Sequence, residues 1–122
     1  MMILETLPTR KSVDWSLTED GLVIIFQEKQ FGRIEEKMAE IFRAPTIVRR
    51  PLDQMNSELW KLMDGTKSLA EIIAEMDYMF AEAIAPVTER VSKSISQFVE
   101  QGLAVIVREN EEVFWNTNPI SG

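Results

Sequence analysis

The stretch LDQMNSELWKLMDGTKSLAEIIAEM, residues 52–76, decides how this chain folds. Its first half carries apolar residues at helical spacing, and Gly65 then supplies the left-handed conformation that commonly ends a helix. Ser68 and Glu71 form a capping box, the pattern that opens a second helix. The stretch therefore predicts a helix-turn-helix, a unit that some proteins use to bind DNA and others use as scaffolding.

The charge of the chain separates these two uses. It has 13 Lys and Arg against 20 Asp and Glu, for a net charge of −7, whereas DNA-binding modules show a basic stripe that neutralises phosphates. The second helix, which would enter the major groove, carries Glu71, Glu75 and Asp77 and no basic residue. We therefore expect no nucleic-acid partner, and the scaffold interpretation is favoured.

Cysteine and histidine are both absent from the sequence. Their absence excludes disulfides, thiolate catalysis and zinc–thiolate or iron–sulfur sites, and it removes the usual general base and the commonest metal ligand. No Gly-rich phosphate loop or nucleophile elbow occurs either. We expect a protein that is not an enzyme and that holds no metal and no cofactor.

No apolar run is long enough to span a bilayer, and the N-terminus lacks the basic region and the cleavage site of a signal peptide. The sequence therefore predicts a cytoplasmic protein with no membrane partner. With 122 residues and no internal repeat or linker, the chain is expected to form one domain over residues 1–122.

Upstream of the central stretch, apolar and polar residues alternate as they do in β-strands. Residues 13–17 and 22–26 predict a hairpin, with Gly21 supplying the positive φ of its turn. A helical stripe over residues 31–42 predicts a helix after the hairpin. The residues before the hairpin show no firm periodicity, and the ordered core is expected to begin near Pro8.

The predicted third strand, TIVRR at residues 46–50, is short and is stopped by Pro51, which cannot donate to a ladder. Both features suit an edge strand, whose unpaired backbone groups can capture an extended peptide by strand addition. Arg43, Arg49 and Arg50 would attract an acidic peptide. The alternative is that the arginines only keep the edge soluble, and composition leaves both interpretations open.

Downstream, residues 86–101 predict a third helix that ends at Gly102, residues 103–107 an apolar strand, and residues 113–115 a return strand. The predicted fold class is α+β and winged helix-turn-helix-like. An N-terminal three-stranded antiparallel sheet is followed by a three-helix bundle, with an extra helix between strands two and three and a C-terminal strand or hairpin. The core of this domain is expected to span residues 8–107.

The central stretch resembles the PqqD-like family, whose domain is the peptide-recognition element of pathways that make ribosomally synthesised, post-translationally modified peptides. The resemblance extends to FVEQGLAVI at residues 98–106 and, more loosely, to the first hairpin. In the central stretch, the residues that match the pattern of the family are Leu52, Asp53, Ser57, Leu59, Trp60, Leu62, Asp64, Gly65, Leu69, Glu71 and Ile72.

The resemblance implies a non-catalytic peptide-binding adaptor. A precursor (leader) peptide would add a strand to the third strand and pack against the third helix, and the adaptor would present it to a modifying enzyme such as a radical SAM enzyme. The alternative is a winged-helix module for protein–protein interaction or regulation, which could form a homodimer and does not bind DNA. The residues that the resemblance assigns to peptide binding are Thr46, Ile47, Val48, Arg49 and Arg50 on the strand and Val91, Ser94, Ile95 and Phe98 on the helix.

Overall fold

The computed structural model describes residues 3–29, 46–108 and 111–120. Its architecture is α+β, with two small antiparallel sheets and three α-helices, which confirms the predicted class at this level. In chain order the elements are β1 (Leu7–Arg10), β2 (Asp14–Leu17), β3 (Val23–Lys29), β4 (Thr46–Pro51), α1 (Gln54–Leu62), α2 (Leu69–Phe80), a 3-10 helix (Ala81–Ile84), α3 (Val87–Glu100) and β5 (Ala104–Val107).

The larger sheet has the strand order β2-β3-β4, so the predicted hairpin, its central second strand and the third strand are confirmed. Gly21 has a φ of 81° in the hairpin turn, where the Thr18 hydroxyl accepts a hydrogen bond from the Leu22 N–H at 3.0 Å. Trp15 pairs with Ile25, and Ile25 pairs with Arg50. These three residues therefore share the face of the sheet that covers the core.

The smaller sheet pairs β1 with β5 and was not predicted, because Pro8 lies in the middle of β1. The N–H of Lys11 donates to the carbonyl of Leu103 at 2.9 Å. Hydrogen-bonded and non-hydrogen-bonded pairs alternate along an antiparallel ladder, so Pro8 and Ile106 form a non-hydrogen-bonded pair. The missing N–H of Pro8 therefore costs the ladder nothing, and the core begins with this strand.

The helix-turn-helix stretch forms α1 and α2, and α2 begins with the predicted capping box. Ser68 Oγ accepts from the Glu71 N–H at 3.2 Å, and Glu71 Oε1 accepts from the Ser68 N–H at 3.0 Å, which is the capping box. Asp53 caps α1 by accepting from the Asn56 N–H at 2.8 Å. Gly65 has a φ of 90° in the turn between the helices.

Buried Ser57 attaches α1 to the larger sheet. Its hydroxyl accepts from the Val23 N–H at 2.8 Å and donates to the Leu52 carbonyl at 3.3 Å. A small hydroxyl is suited to this place, because it completes the end of the β3–β4 ladder without separating the helix from the strands.

The hydrophobic core lies between the larger sheet and the three helices. Trp60 is fully buried at its centre, and its ring packs edge-on against Trp15 and Phe98 at centroid distances of 6.2 and 5.3 Å. Other fully buried side chains around it are Val23, Ile25, Leu59, Met63, Ile72, Met76, Val91 and Ile95.

Arg10 is a buried cation that joins β1, α1 and the C-terminal segment, and it is 4% exposed. Its Nη1 donates to the carbonyls of Trp60 and Lys61 at 2.7 and 2.9 Å, at the end of α1. Its Nε and Nη2 donate to the Thr117 carbonyl at 3.0 and 2.8 Å, and its guanidinium lies 4.9 Å from the Trp15 ring centroid. No sequence pattern had singled out this residue.

The C-terminal segment, residues 111–120, contains no strand, so the return strand predicted at residues 113–115 is wrong. The segment instead crosses back over one strand of each sheet. Trp115 Nε1 donates to the Arg10 carbonyl at 2.6 Å, and the Ile120 N–H donates to the Trp15 carbonyl at 2.8 Å. Among the described residues, it is held to the sheets by side-chain donors and by the Ile120 backbone bond rather than by a ladder.

The helix predicted over residues 31–42 lies outside the described residues, and so does Arg43. Within the part of the chain that the structure describes, no helix combines the length and apolarity needed to cross a bilayer. In the same part of the chain, no three acidic side chains come together as ligands for a metal ion.

Candidate functional site

One long edge of the larger sheet belongs to β4, which in the described residues pairs only with β3. The N–H of Leu52 donates to the Val23 carbonyl at 2.9 Å, so Leu52 and Val23 form a hydrogen-bonded pair. This pair fixes the phase of the ladder, meaning which of the following pairs are hydrogen-bonded. By the alternation of antiparallel pairs, the backbone groups of Val48 and Arg50 point to β3. Those of Ile47 and Arg49 therefore point away from the sheet.

The hydrogen bonding of the hairpin confirms this phase. The N–H of Thr18 donates to the Leu22 carbonyl at 2.8 Å, so the backbone of Ile24 points to β2 and that of Ile25 points to β4. The same alternation turns the carbonyl of Trp15 outward, and that carbonyl does accept a bond from outside the sheet.

The side chains of β4 divide between the two faces of the sheet. Ile47 is 53% exposed, and the Arg49 guanidinium lies 5.9 Å from the Phe26 ring centroid on the outer face. Val48 and Arg50 are half-buried on the inner face. Among the described residues, Nε of Arg50 is buried without a hydrogen-bond partner. A buried donor in this condition is costly to the fold.

Helix α3 closes the inner face of the sheet at one end, where Gln27 Nε2 donates to the Gln101 carbonyl at 3.0 Å. The structure places Val91, Ile95 and Phe98 in the core, each at most 5% exposed. This corrects the expectation that they line an open groove, because their stripe faces the other helices and the sheet. Ser94 is half-buried and is the one predicted helix residue that borders open space.

A cleft of about 450 Å³ opens between the start of α1 and α3. It begins two residues after β4, because Asp53 both caps α1 and borders the cleft. The residues that line it are Asp53, Met55, Asn56, Ala83, Ile84, Arg90, Lys93, Ser94 and Gln97. The sequence did contain a signal for the helix side, since Arg90, Ser94 and Gln97 recur at helical spacing.

The cleft is cationic although the chain as a whole is acidic. Arg90 and Lys93 are exposed on its α3 side, and neither forms an ion pair with any other described residue. Asp53 is the acidic residue of the lining, and its carboxylate already accepts the cap hydrogen bond of α1. Asn56, Ser94 and Gln97 add neutral hydrogen-bonding groups.

A second cleft, of about 420 Å³, lies beside the β1–β5 sheet and is lined by Lys11, Ser12, Val13, Val105 and Trp115. It is built mainly of apolar side chains, and the C-terminal segment forms one of its walls through the Trp115 ring. The Ile120 hydrogen bond to Trp15 also covers part of the outer edge of β2. The edge of β4 has no such cover among the described residues.

Comparison of the chain with family models, curated proteins and solved structures finds no match. Function is therefore inferred from the β4 edge, the cationic cleft and the motif of the helix-turn-helix stretch.

Proposed function

We propose that this protein is a non-catalytic adaptor of the PqqD-like kind. It captures a precursor (leader) peptide as an additional strand on β4 and presents it to a modifying enzyme such as a radical SAM enzyme. In this proposal α1 and α2 are the helix-turn-helix of a winged-helix fold, and α3 lies beside the added strand. The observation that carries the proposal is the outward direction of the Ile47 and Arg49 backbone groups on an edge without a described partner.

The size of the backbone contribution shows that the side chains of the peptide must also contribute. The two N–H and two C=O groups of Ile47 and Arg49 would form bonds worth about 0.5–1.5 kcal/mol each net. Together they give roughly 2–6 kcal/mol, which reaches only the lower end of the roughly 4–15 kcal/mol lost on association. Affinity therefore depends on peptide side chains that reach the cleft beside α3.

Proline substitution tests strand addition, and the phase of the ladder selects the position. Val48→Pro would remove a donor that serves the β3–β4 ladder, so it would damage the sheet itself. Arg49→Pro removes the arginine side chain and an N–H that points away from β3, and it leaves the donors of the β3–β4 ladder in place. Arg49→Ala is the matched control, because it loses the same side chain and keeps the N–H.

The probe is a set of peptides selected from a random phage-displayed library against the wild-type chain. Calorimetry with these synthetic peptides should show binding to the wild type and to Arg49→Ala, and loss of binding to Arg49→Pro. Circular dichroism checks that the proline variant keeps its fold. Equal affinities for the proline and alanine variants would contradict strand addition on β4.

The alternative function, a winged-helix interaction module that dimerises, would use the same edge. Pairing of β4 with β4 of a second copy would gather Arg49 and Arg50 from both copies, and this repulsion disfavours it. We therefore expect a monomer by light scattering at several concentrations. A tight dimer that dissociates when Arg49 is changed to proline would instead favour the interaction module.

A further inference from the structure

We infer that the cleft between α1 and α3 receives an acidic side chain of the peptide that is bound to β4, so that the protein selects for Asp or Glu at that place in the peptide. This inference rests on the proposed function and adds to it the chemistry of recognition. It concerns Arg90 and Lys93, which the sequence interpretation did not include.

The path of the chain connects the edge strand to the cleft. Outward positions of β4 recur at Ile47, Arg49 and Pro51, and Pro51 has no N–H to offer. An added strand therefore loses its donor beyond Arg49. Asp53, two residues after the end of β4, already borders the cleft, so the cleft begins within two residues of the place where a peptide would leave the ladder.

The charges at this end of the strand favour a carboxylate. Arg90 and Lys93 border the cleft. Against these two cations stands Asp53, whose carboxylate is engaged by the Asn56 N–H. In a chain of net charge −7, this is a local cationic site, and it complements an anionic side chain.

The neutral lining supports the same ligand. Asn56, Ser94 and Gln97 can donate hydrogen bonds to a carboxylate oxygen, and Met55 provides an apolar wall for the methylene groups of a Glu side chain. A cationic peptide side chain in the cleft would be repelled by Arg90 and Lys93, so the cleft discriminates against it.

The first measurement is the composition of selected peptides. The same phage-displayed library is selected against the full wild-type chain and against an Arg90→Gln/Lys93→Gln variant. Lys11→Gln/Arg108→Gln is the control, because it makes the same change in charge at the two positions that directly follow β1 and β5. Wild type and control should yield peptides enriched in Asp and Glu, and the cleft variant should not.

The second measurement compares the affinities of peptides that differ at one acidic residue. A synthetic peptide from the wild-type pool is compared by calorimetry with versions in which one Glu or Asp at a time becomes Gln or Asn. At one position the change should weaken binding to the wild type by about tenfold and leave binding to the cleft variant unchanged. Added salt should reduce this difference.

The outcomes separate this inference from the proposed function. Peptides that require the Arg49 N–H but show no acidic excess would overturn the acidic selectivity and leave strand addition standing. An acidic excess that persists in the cleft variant would also overturn it. If no selected peptide distinguishes Arg49→Pro from Arg49→Ala, the proposed function itself fails.

Discussion

Arg10 shows how backbone carbonyls can satisfy a buried charge. Burial lowers the pKa of its guanidinium to about 10, and the charge of Asp64 offsets only part of that effect. The group remains cationic at neutral pH. Its donors are matched by three carbonyls, two of which are the negative end of the α1 dipole.

Replacing Arg10 by alanine should lower the free energy of unfolding by about 3–5 kcal/mol, because buried carbonyls of α1 and of the C-terminal segment lose their donors together. Urea denaturation followed by tryptophan fluorescence measures this change. Arg108→Ala, at a position with an 83% exposed side chain, is the control and should change stability by less than about 0.5 kcal/mol. A similar small effect at Arg10 would contradict the anchoring role.

Gly65 is required for two reasons that can be measured separately. Its φ of 90° is strained for any other residue, and an added Cβ would lie 2.9 Å from Cγ2 of Val113. Gly102 has a φ of 75° but nothing within 4 Å of an added Cβ. Gly102→Ala should therefore cost about 1–2 kcal/mol from the backbone alone.

Gly65→Ala should cost more than Gly102→Ala in the same denaturation experiment, because it adds the clash with the C-terminal segment. Equal losses for the two variants would show that Val113 moves aside freely.

At the scale of elements, the turn between α1 and α2 is held by two carboxylates. Burial tends to raise the pKa of Asp64, but hydrogen bonds from Thr66 and the charges of Lys67 and Arg10 outweigh it and leave the pKa lowered. Hydrogen bonds from Ser68 lower the pKa of Glu71 at the start of α2. Both groups are therefore more acidic in the folded chain than in the unfolded chain.

The lowered pKa values of Asp64 and Glu71 predict that the stability of the fold decreases as the pH falls. A lowered folded pKa contributes stability above the unfolded value, near 4, and that stability is lost as the pH falls through the folded pKa. Glu71→Gln keeps a cap hydrogen bond and removes the titration, so together with Asp64→Asn it should flatten the fall of melting temperature from about pH 6 to about pH 3. An unchanged slope would contradict the role of this turn.

At the scale of the whole molecule, the C-terminal segment binds the two sheets to each other. Arg10 and Trp15 belong to different sheets, and both donate side-chain hydrogen bonds to the Thr117 carbonyl. The same segment covers part of the β2 edge through Ile120. It therefore leaves β4 as the edge of the larger sheet that is open within the described residues.

Removal of the residues after Glu112 should destabilise the fold by about 2–5 kcal/mol, because the buried donors of Arg10 and Trp15 lose their acceptor. It should also promote association through the uncovered β2 edge. Denaturation and light scattering measure the two effects. Phe114→Ala removes a ring that is 90% exposed, and as the control it should reproduce neither; a truncated chain as stable as the wild type would contradict the bridging role.

The sequence by itself determined the features whose causes lie within a few residues. The capping box of α2, the positive φ of Gly21 and Gly65, and the apolar pattern of β3 all follow from local hydrogen bonds and periodicity. The edge strand after the hairpin was likewise predictable, because Pro51 and two arginines mark it. The resemblance to PqqD-like proteins rests on these same local features.

Only the tertiary structure decided which faces meet. From the sequence, the apolar stripe of Val91, Ile95 and Phe98 fits a groove lining and a core equally well. In the structure these residues pack into the core, and the polar stripe of α3 borders the cleft. The pairing of β1 with β5 and the 107-residue separation of Arg10 from Thr117 are long-range contacts with no local signature. The sequence alternation of β4 shows which of its residues share a face of the sheet. Only the pairing with β3 decides which backbone N–H and C=O groups are used in the ladder, and it leaves those of Ile47 and Arg49 pointing away from the sheet.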